Sequence, residues 1–154
     1  MNKALAVMAI ITVALVAYAF ETAQLPPATI EYKEVFYVDN QSVTFITKDG
    51  YGLFTMHIKP KISSFELMIE FPKGTSYLVR YGDRDYRGKD TFEITVDRNT
   101  VPGEVYVQFQ LPKNVTRKII YENYSPEIKV IGKKKPFWHA EDVIYIRYRN
   151  VEKS

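Results

Sequence analysis

An all-β fold, specifically an antiparallel β-sandwich, is what this sequence predicts for the chain beyond its first few turns of apolar residues. Three observations carry that expectation. Apolar and polar residues alternate with period two in segment after segment, as in Phe65, Leu67, Ile69 and Phe71 against Glu66, Met68 and Glu70. A charged outer face on such a segment describes a strand buried on one side only. Gly, Pro and Asp clusters then interrupt these segments roughly every eight to twelve residues, and no later segment keeps a sustained helical apolar period. Twelve Tyr and nine Phe among 154 residues add to the case, since flat rings pack well on a pleated surface.

The elements follow in order. Thr29 to Val38 is rich in Tyr, Val and Phe, and Ser42 to Thr47 alternates. Asp49-Gly50 is a turn signal, because both residues tolerate positive φ. Leu53 to Lys59 places Phe54, Met56 and Ile58 on one side, and Phe65 to Phe71 is the cleanest alternation of all. Pro72-Lys73-Gly74 turns the chain into Ser76 to Tyr81. Phe92, Ile94 and Val96 then alternate with Glu93, Thr95 and Asp97, and Val105, Val107 and Phe109 with Tyr106, Gln108 and Gln110. Lys118 to Tyr121, Glu127 to Ile131 and Val143 to Val151 complete roughly nine or ten strands, in an immunoglobulin-like or jelly-roll-like arrangement. Phe65, Leu67, Ile69, Phe92, Ile94, Val105, Val107 and Phe109 are expected to face one core.

Ahead of this domain lies a targeting segment. Lys3 is followed by an apolar run from Ala4 to Val16, broken only by Thr12, and Ala17-Tyr18-Ala19 has the small residues a signal peptidase reads. Residues 1–19 are therefore expected to act as a signal peptide, or, if retained, as a single N-terminal membrane-anchor helix. Ala4 to Phe20 sits at the lower limit for a span, with Lys3 on the cytoplasmic side. A third reading cleaves at Lys3-Ala4, as in a prepilin leader, although Pro26-Pro27 would stop the helix early. Residues 20–28 read as a short tether and residues 29–154 as one extracytoplasmic domain, secreted or anchored at the cell surface.

Composition narrows the function classes. The 21 Lys and Arg against 18 Asp and Glu give a formal charge of +3, too small and too interleaved for a nucleic-acid partner. With no cysteine, thiol catalysis, cysteine-bound zinc, iron–sulfur clusters and stabilising disulfides are excluded. No serine-hydrolase elbow or phosphate-cradling glycine loop occurs. The stretch Gly82 to Asp90 interleaves Arg84, Arg87 and Lys89 with its carboxylates and reads as a solvated hairpin rather than a calcium loop. The two histidines, His57 and His139, are too few for a zinc site without other converging ligands. No cofactor and no catalysis are expected.

Three candidate sites remain. The first is the basic aromatic loop Lys133, Lys134, Lys135, Phe137, Trp138 and His139, which could meet an anionic glycan or lipid, or fold its rings back to close one end of the sandwich. The second is a strand-exchange segment containing Ile30, Tyr32, Val35, Phe36, Tyr37 and Val38, whose apolar run needs a covering sheet from this chain or from a neighbour. The third is a set of N-glycosylation tripeptides at Asn40, Asn114 and Asn123, all placed in turns by the strand assignment. The layout is similar to that of surface-filament subunits and of single-pass accessory proteins of archaeal surface appendages. That resemblance implies a non-enzymatic structural or interaction protein with protein partners, itself included, joined through sheet edges. The alternative is a carbohydrate- or ligand-binding module using residues 133–139.

Overall fold

The computed structural model describes residues 28–33, 35–38, 40–134 and 138–149, with Trp138 described through its backbone alone. The expected leader or anchor helix, the tether up to Pro27, Lys135 and Phe137 lie outside these residues, and Ala28 is already the first residue of a strand. Among the described residues no helix is long and apolar enough to cross a membrane.

Among the described residues there are eleven strands, arranged in two sheets, and one helix. In chain order they are β1(Ala28–Lys33), β2(Phe36–Val38), β3(Gln41–Ile46), β4(Tyr51–Pro60), β5(Ser64–Glu70), β6(Ser76–Tyr81), β7(Arg84–Lys89), β8(Thr91–Asp97) and β9(Val105–Gln110). Then come α1(Lys113–Glu122), β10(Glu127–Lys134) and β11(Trp138–Tyr148). The first sheet runs β1-β4-β9-β6-β7 and the second β2-β3-β11-β10-β5-β8. Every pair is antiparallel except β3 with β11, which is parallel. The fold is thus all-β in two sheets, as the alternation implies.

The core lies between the sheets. Phe65, Leu67, Ile69, Phe92, Val105, Val107 and Phe109 are buried together with Phe54, Met56 and Ile58. Ile94 packs against the same cluster but stays half-buried, because β8 is an edge strand. In β3 Ile46 joins this cluster, Thr44 is buried beside it, and Val43 is fully buried as well. Aromatic rings cover backbone where a side chain would not fit. Gly52 stands opposite Phe109 in the β4–β9 ladder, and a Cβ there would lie 2.1 Å from the ring. Gly88 stands opposite Tyr77 in the β6–β7 ladder, where a Cβ would come within 2.5 Å of Oη.

Three expectations need correction. The segment Lys118 to Tyr121 is not a strand but part of α1. Pro112 precedes the helix in extended conformation, and Val115, Thr116, Ile119 and Ile120 recur at helical spacing, with Thr116 and Ile119 buried. Ten residues are too few to display a sustained period. Asn123 ends the helix at φ 56°, and the Tyr124 N–H donates to the Lys118 carbonyl at 3.2 Å. The stretch Thr29 to Val38 is two strands, with β1 in one sheet, β2 in the other and buried Val35 between them. The stretch Gly82 to Asp90, read as a hairpin but not counted among the strands, forms the turn and second strand, β7, of the β6–β7 hairpin, which raises the count to eleven.

Candidate functional site

A sandwich with two open sheets has four edge strands, among the described residues β1, β2, β7 and β8. Edge strands expose backbone groups that another chain can pair with, so how each is guarded decides where a partner can add. β2 has only three residues. β1 faces the second sheet: Ala28, Ile30 and Tyr32 line a crevice of about 150 Å3 together with Val130, Gly132 and Ala140. The Tyr32 hydroxyl donates to Asp142 Oδ2 at 3.0 Å. Burial and the neighbouring Asp142 carboxylate push the Tyr32 phenol well above its usual range. β7 carries Arg84, Asp85, Arg87 and Lys89 along its length.

β8 is the least guarded. Its sequence, Thr-Phe-Glu-Ile-Thr-Val-Asp, has no Pro, Gly, Lys or Arg. The ladder fixes which of its groups are free. The Phe71 N–H donates to the Asp90 carbonyl at 2.8 Å, and the Arg98 N–H donates to the Ser63 carbonyl at 2.9 Å. Both bonds lie on the β5–β8 register, so the pairs two residues apart between them, Ile69–Phe92, Leu67–Ile94 and Phe65–Val96, are the hydrogen-bonded ones. The backbone groups of Thr91, Glu93, Thr95 and Asp97 therefore point away from the sheet. The Tyr77 hydroxyl occupies the Thr91 carbonyl, and the Thr100 N–H occupies that of Asp97. Both groups of Glu93 and Thr95, and the N–H of Thr91 and Asp97, are without a partner among the described residues.

Asp90 makes this corner. Its φ of 70° turns the chain between sheets. Its N–H donates to the carbonyl of Thr75 just before β6, its C=O accepts from Phe71 beside the second sheet, and Oδ1 accepts the Gly74 N–H. Beside the edge, the outer face of the second sheet is acidic. Glu93 stands opposite Met68, with Glu66 and Glu70 diagonal to it on β5. Lys133 and Lys129 lie one strand further in, opposite Glu66 and Glu70.

The first sheet's outer face differs. Tyr51, Leu53 and Tyr106 are exposed on it, bordered by Lys33–Glu104, Lys59–Glu31 and Arg80–Asp85 ion pairs. The hydrogen bond from Arg80 holds the Asp85 carboxyl below its ordinary range, and those from Lys33 and Tyr106 do the same for Glu104. Next to this face, Phe36, Phe45, Tyr51 and Leu53 line a hollow of about 570 Å3. The Arg149 guanidinium stacks over the Phe45 and Phe36 rings at 5.0 and 5.7 Å.

The expected site residues are distributed as follows. Lys133 and Lys134 are the last residues of β10 and half-buried, and Lys134 Nζ donates to Ser64 Oγ at 3.0 Å. His139 is exposed, 4.0 Å from a Glu141 oxygen. Lys135, Phe137 and the Trp138 side chain fall outside the described residues. In the strand-exchange segment, Ile30 and Tyr32 pack against the core, Val35 is buried, Val38 is half-buried, and Phe36 and Tyr37 are exposed. β1 and β2 pair with β4 and β3 of the same chain. Asn40, Asn114 and Asn123 are exposed, with Asn114 in the first turn of α1 rather than in a loop. Sequence reasoning did not single out β8 as an edge, since edge status depends on strand order. Among the described residues no three His, Cys, Asp or Glu side chains converge as a metal site would require.

No protein-family model and no curated protein matches the sequence. Among solved structures, the chain is similar to the collagen-binding subdomain of the Enterococcus faecalis surface protein ACE, with TM-score 0.42 and 4% identity over 80% of this chain and 98% of that one. It is also similar to the N-terminal domain of PorA, with TM-score 0.38 and 10% identity over 79% and 98% of the two chains. The sporulation control protein Spo0M from Bacillus subtilis aligns with TM-score 0.31 and 14% identity over 81% and 51%.

Proposed function

We propose that this chain is a non-enzymatic, extracytoplasmic structural or interaction protein of the cell surface, which associates with protein partners through a sheet edge. The observation that carries the reading is β8, a seven-residue edge whose free backbone groups offer a template for another strand. The apolar leader at residues 1–19 supports the location, by export or by anchoring. Residues 29–154 are then the exported domain, and a filament or appendage is one assembly such an edge can serve.

The test uses the tagged full chain in its native envelope, with a photo-crosslinking residue at Thr95. The expected result is digestion by external protease on intact cells, together with a discrete crosslink to a second protein. A chain recovered in the cytosol, or one giving no crosslink from this edge, removes the reading. Mass spectrometry of the same sample's N-terminus separates cleavage after Ala19 from retention of the anchor.

A further inference from the structure

The edge of β8 also carries information about what can pair with it. We infer that the partner is an unlike chain presenting an extended segment in which basic and apolar residues alternate. This deepens the surface-association reading and rests on it.

Each strand added to a sheet must satisfy two faces at once. On the inner face, Ile94 stands half-buried between buried Phe92 and Val96, at the border of the core. Apolar side chains on the incoming strand would extend that border and cover Ile94. On the outer face the incoming residues meet Glu93 directly, with Glu66 and Glu70 one strand behind. All three side chains are exposed, and none has a hydrogen-bond or ion-pair partner among the described residues. Lys129, in register with Glu70, is 3.9 Å from Glu141, and Lys133, in register with Glu66, forms no ion pair with it among the described residues. Three unpaired carboxylates beside an open ladder attract a strand whose outward residues are Lys or Arg, because opposite charges facing each other across strands are favourable and like charges are not.

The same charges argue against a second copy of this chain. Pairing β8 with its own twin would gather Glu66, Glu70 and Glu93 from both copies on one face. A β8–β8 pairing centred on Glu93 would set that carboxylate against itself, and one centred on Thr95 would set it against Asp97. Acidic residues on an edge thus act as a filter. They discourage self-association while leaving the backbone template open to a basic strand.

The experiment titrates the full chain with a synthetic seven-residue peptide alternating Lys and Val, blocked at both ends, and with its counterpart alternating Glu and Val. Amide exchange at Glu93 and Thr95 is followed alongside affinity. The Lys–Val peptide is expected to bind and to slow exchange at Glu93 and Thr95. Binding of the Glu–Val peptide, and of Lys–Val to a Glu93→Lys variant, should be weaker by about tenfold or more. Thr95→Pro, which removes only an outward N–H, should abolish binding while leaving the circular dichroism spectrum intact. Equal binding of the two peptides, binding without slowed exchange at Glu93 and Thr95, or no binding of Lys–Val overturns the inference. If the peptide fails while the Thr95 crosslink in the envelope persists, only the partner chemistry is lost. If both fail, the surface-association reading falls as well.

Discussion

Replacing Gly52 by Ala tests the packing of the first sheet at one defined contact. Phe109 lies across Gly52 in the β4–β9 ladder, and a Cβ at Gly52 would sit 2.1 Å from Cζ and 2.6–2.7 Å from both Cε atoms. The ring has little freedom to retreat. It is 3% exposed and packs on Phe54 and Phe71 at centroid separations of 6.3 and 5.9 Å. Gly52→Ala should therefore cost about 1–3 kcal/mol, the range for overpacking a filled core. Phe109→Ala should cost about 3–5 kcal/mol through the cavity it leaves. The informative measurement is the double variant, Gly52→Ala with Phe109→Ala, because the new methyl enters space the ring has vacated. Urea unfolding followed by circular dichroism should give a double-variant loss smaller than the sum by about 1 kcal/mol or more, the signature of coupled neighbours. A Gly52→Ala loss below about 0.5 kcal/mol, or strict additivity, would show that the ring does not lie over the glycine.

Other consequences can be measured independently. Amide exchange in the free protein should alternate along β8, slow at Phe92, Ile94 and Val96 and fast at Glu93 and Thr95; a uniform profile would contradict the ladder parity. Thr44 Oγ1 is buried without a hydrogen-bond partner among the described residues, so Thr44→Val should raise stability by about 1 kcal/mol, and a loss in urea unfolding would reveal a partner for that hydroxyl. The phenol of Tyr32 is raised in the folded chain, so the folded state holds its proton where the unfolded state releases it. Stability should accordingly fall as pH rises above about 10, less steeply in Tyr32→Phe, and the pH dependence of the urea midpoint reads this directly. Asp85 and Glu104 are lowered, so their contribution is complete above the ordinary carboxylate range and lost as pH falls through their folded values. Asp85→Asn should flatten the acid limb between about pH 5 and pH 3, and an unchanged limb would discount the Arg80 contact.

The parts of this fold that were legible in the sequence are those in which one face alone is wet. β5, β8 and β9 alternate cleanly because Glu66, Glu93 and Tyr106 face solvent while Leu67, Phe92 and Val107 do not. The helix was hidden, because Val115, Ile119, Ile120 and Tyr121 favour strands as a local run, and only the flanking Pro112 and Asn123 mark a helix. β7 was hidden by its charges, which an edge strand tolerates and a central one does not. Thr29 to Val38 reads as extended, but local pattern cannot say that the chain changes sheets at Val35. The edge of β8 is a property of strand order: nothing in residues 91–97 alone distinguishes a strand with one neighbour from a strand with two.

The parallel pairing of β3 with β11 has a consequence for how the domain forms. β11, the last strand in chain order, sits between β3 and β10 and so divides the second sheet into two parts, β2-β3 on one side and β10-β5-β8 on the other. Neither part can join the other until β11 is in place, and Tyr145 must find Val43 across about a hundred residues of chain. Loop closure of that length has to precede the contacts that reward it, which makes folding slow compared with a hairpin-by-hairpin sandwich. The first sheet and the β2-β3 and β5-β8 pairs can form without β11, so the last strand completes the second sheet by joining parts already paired.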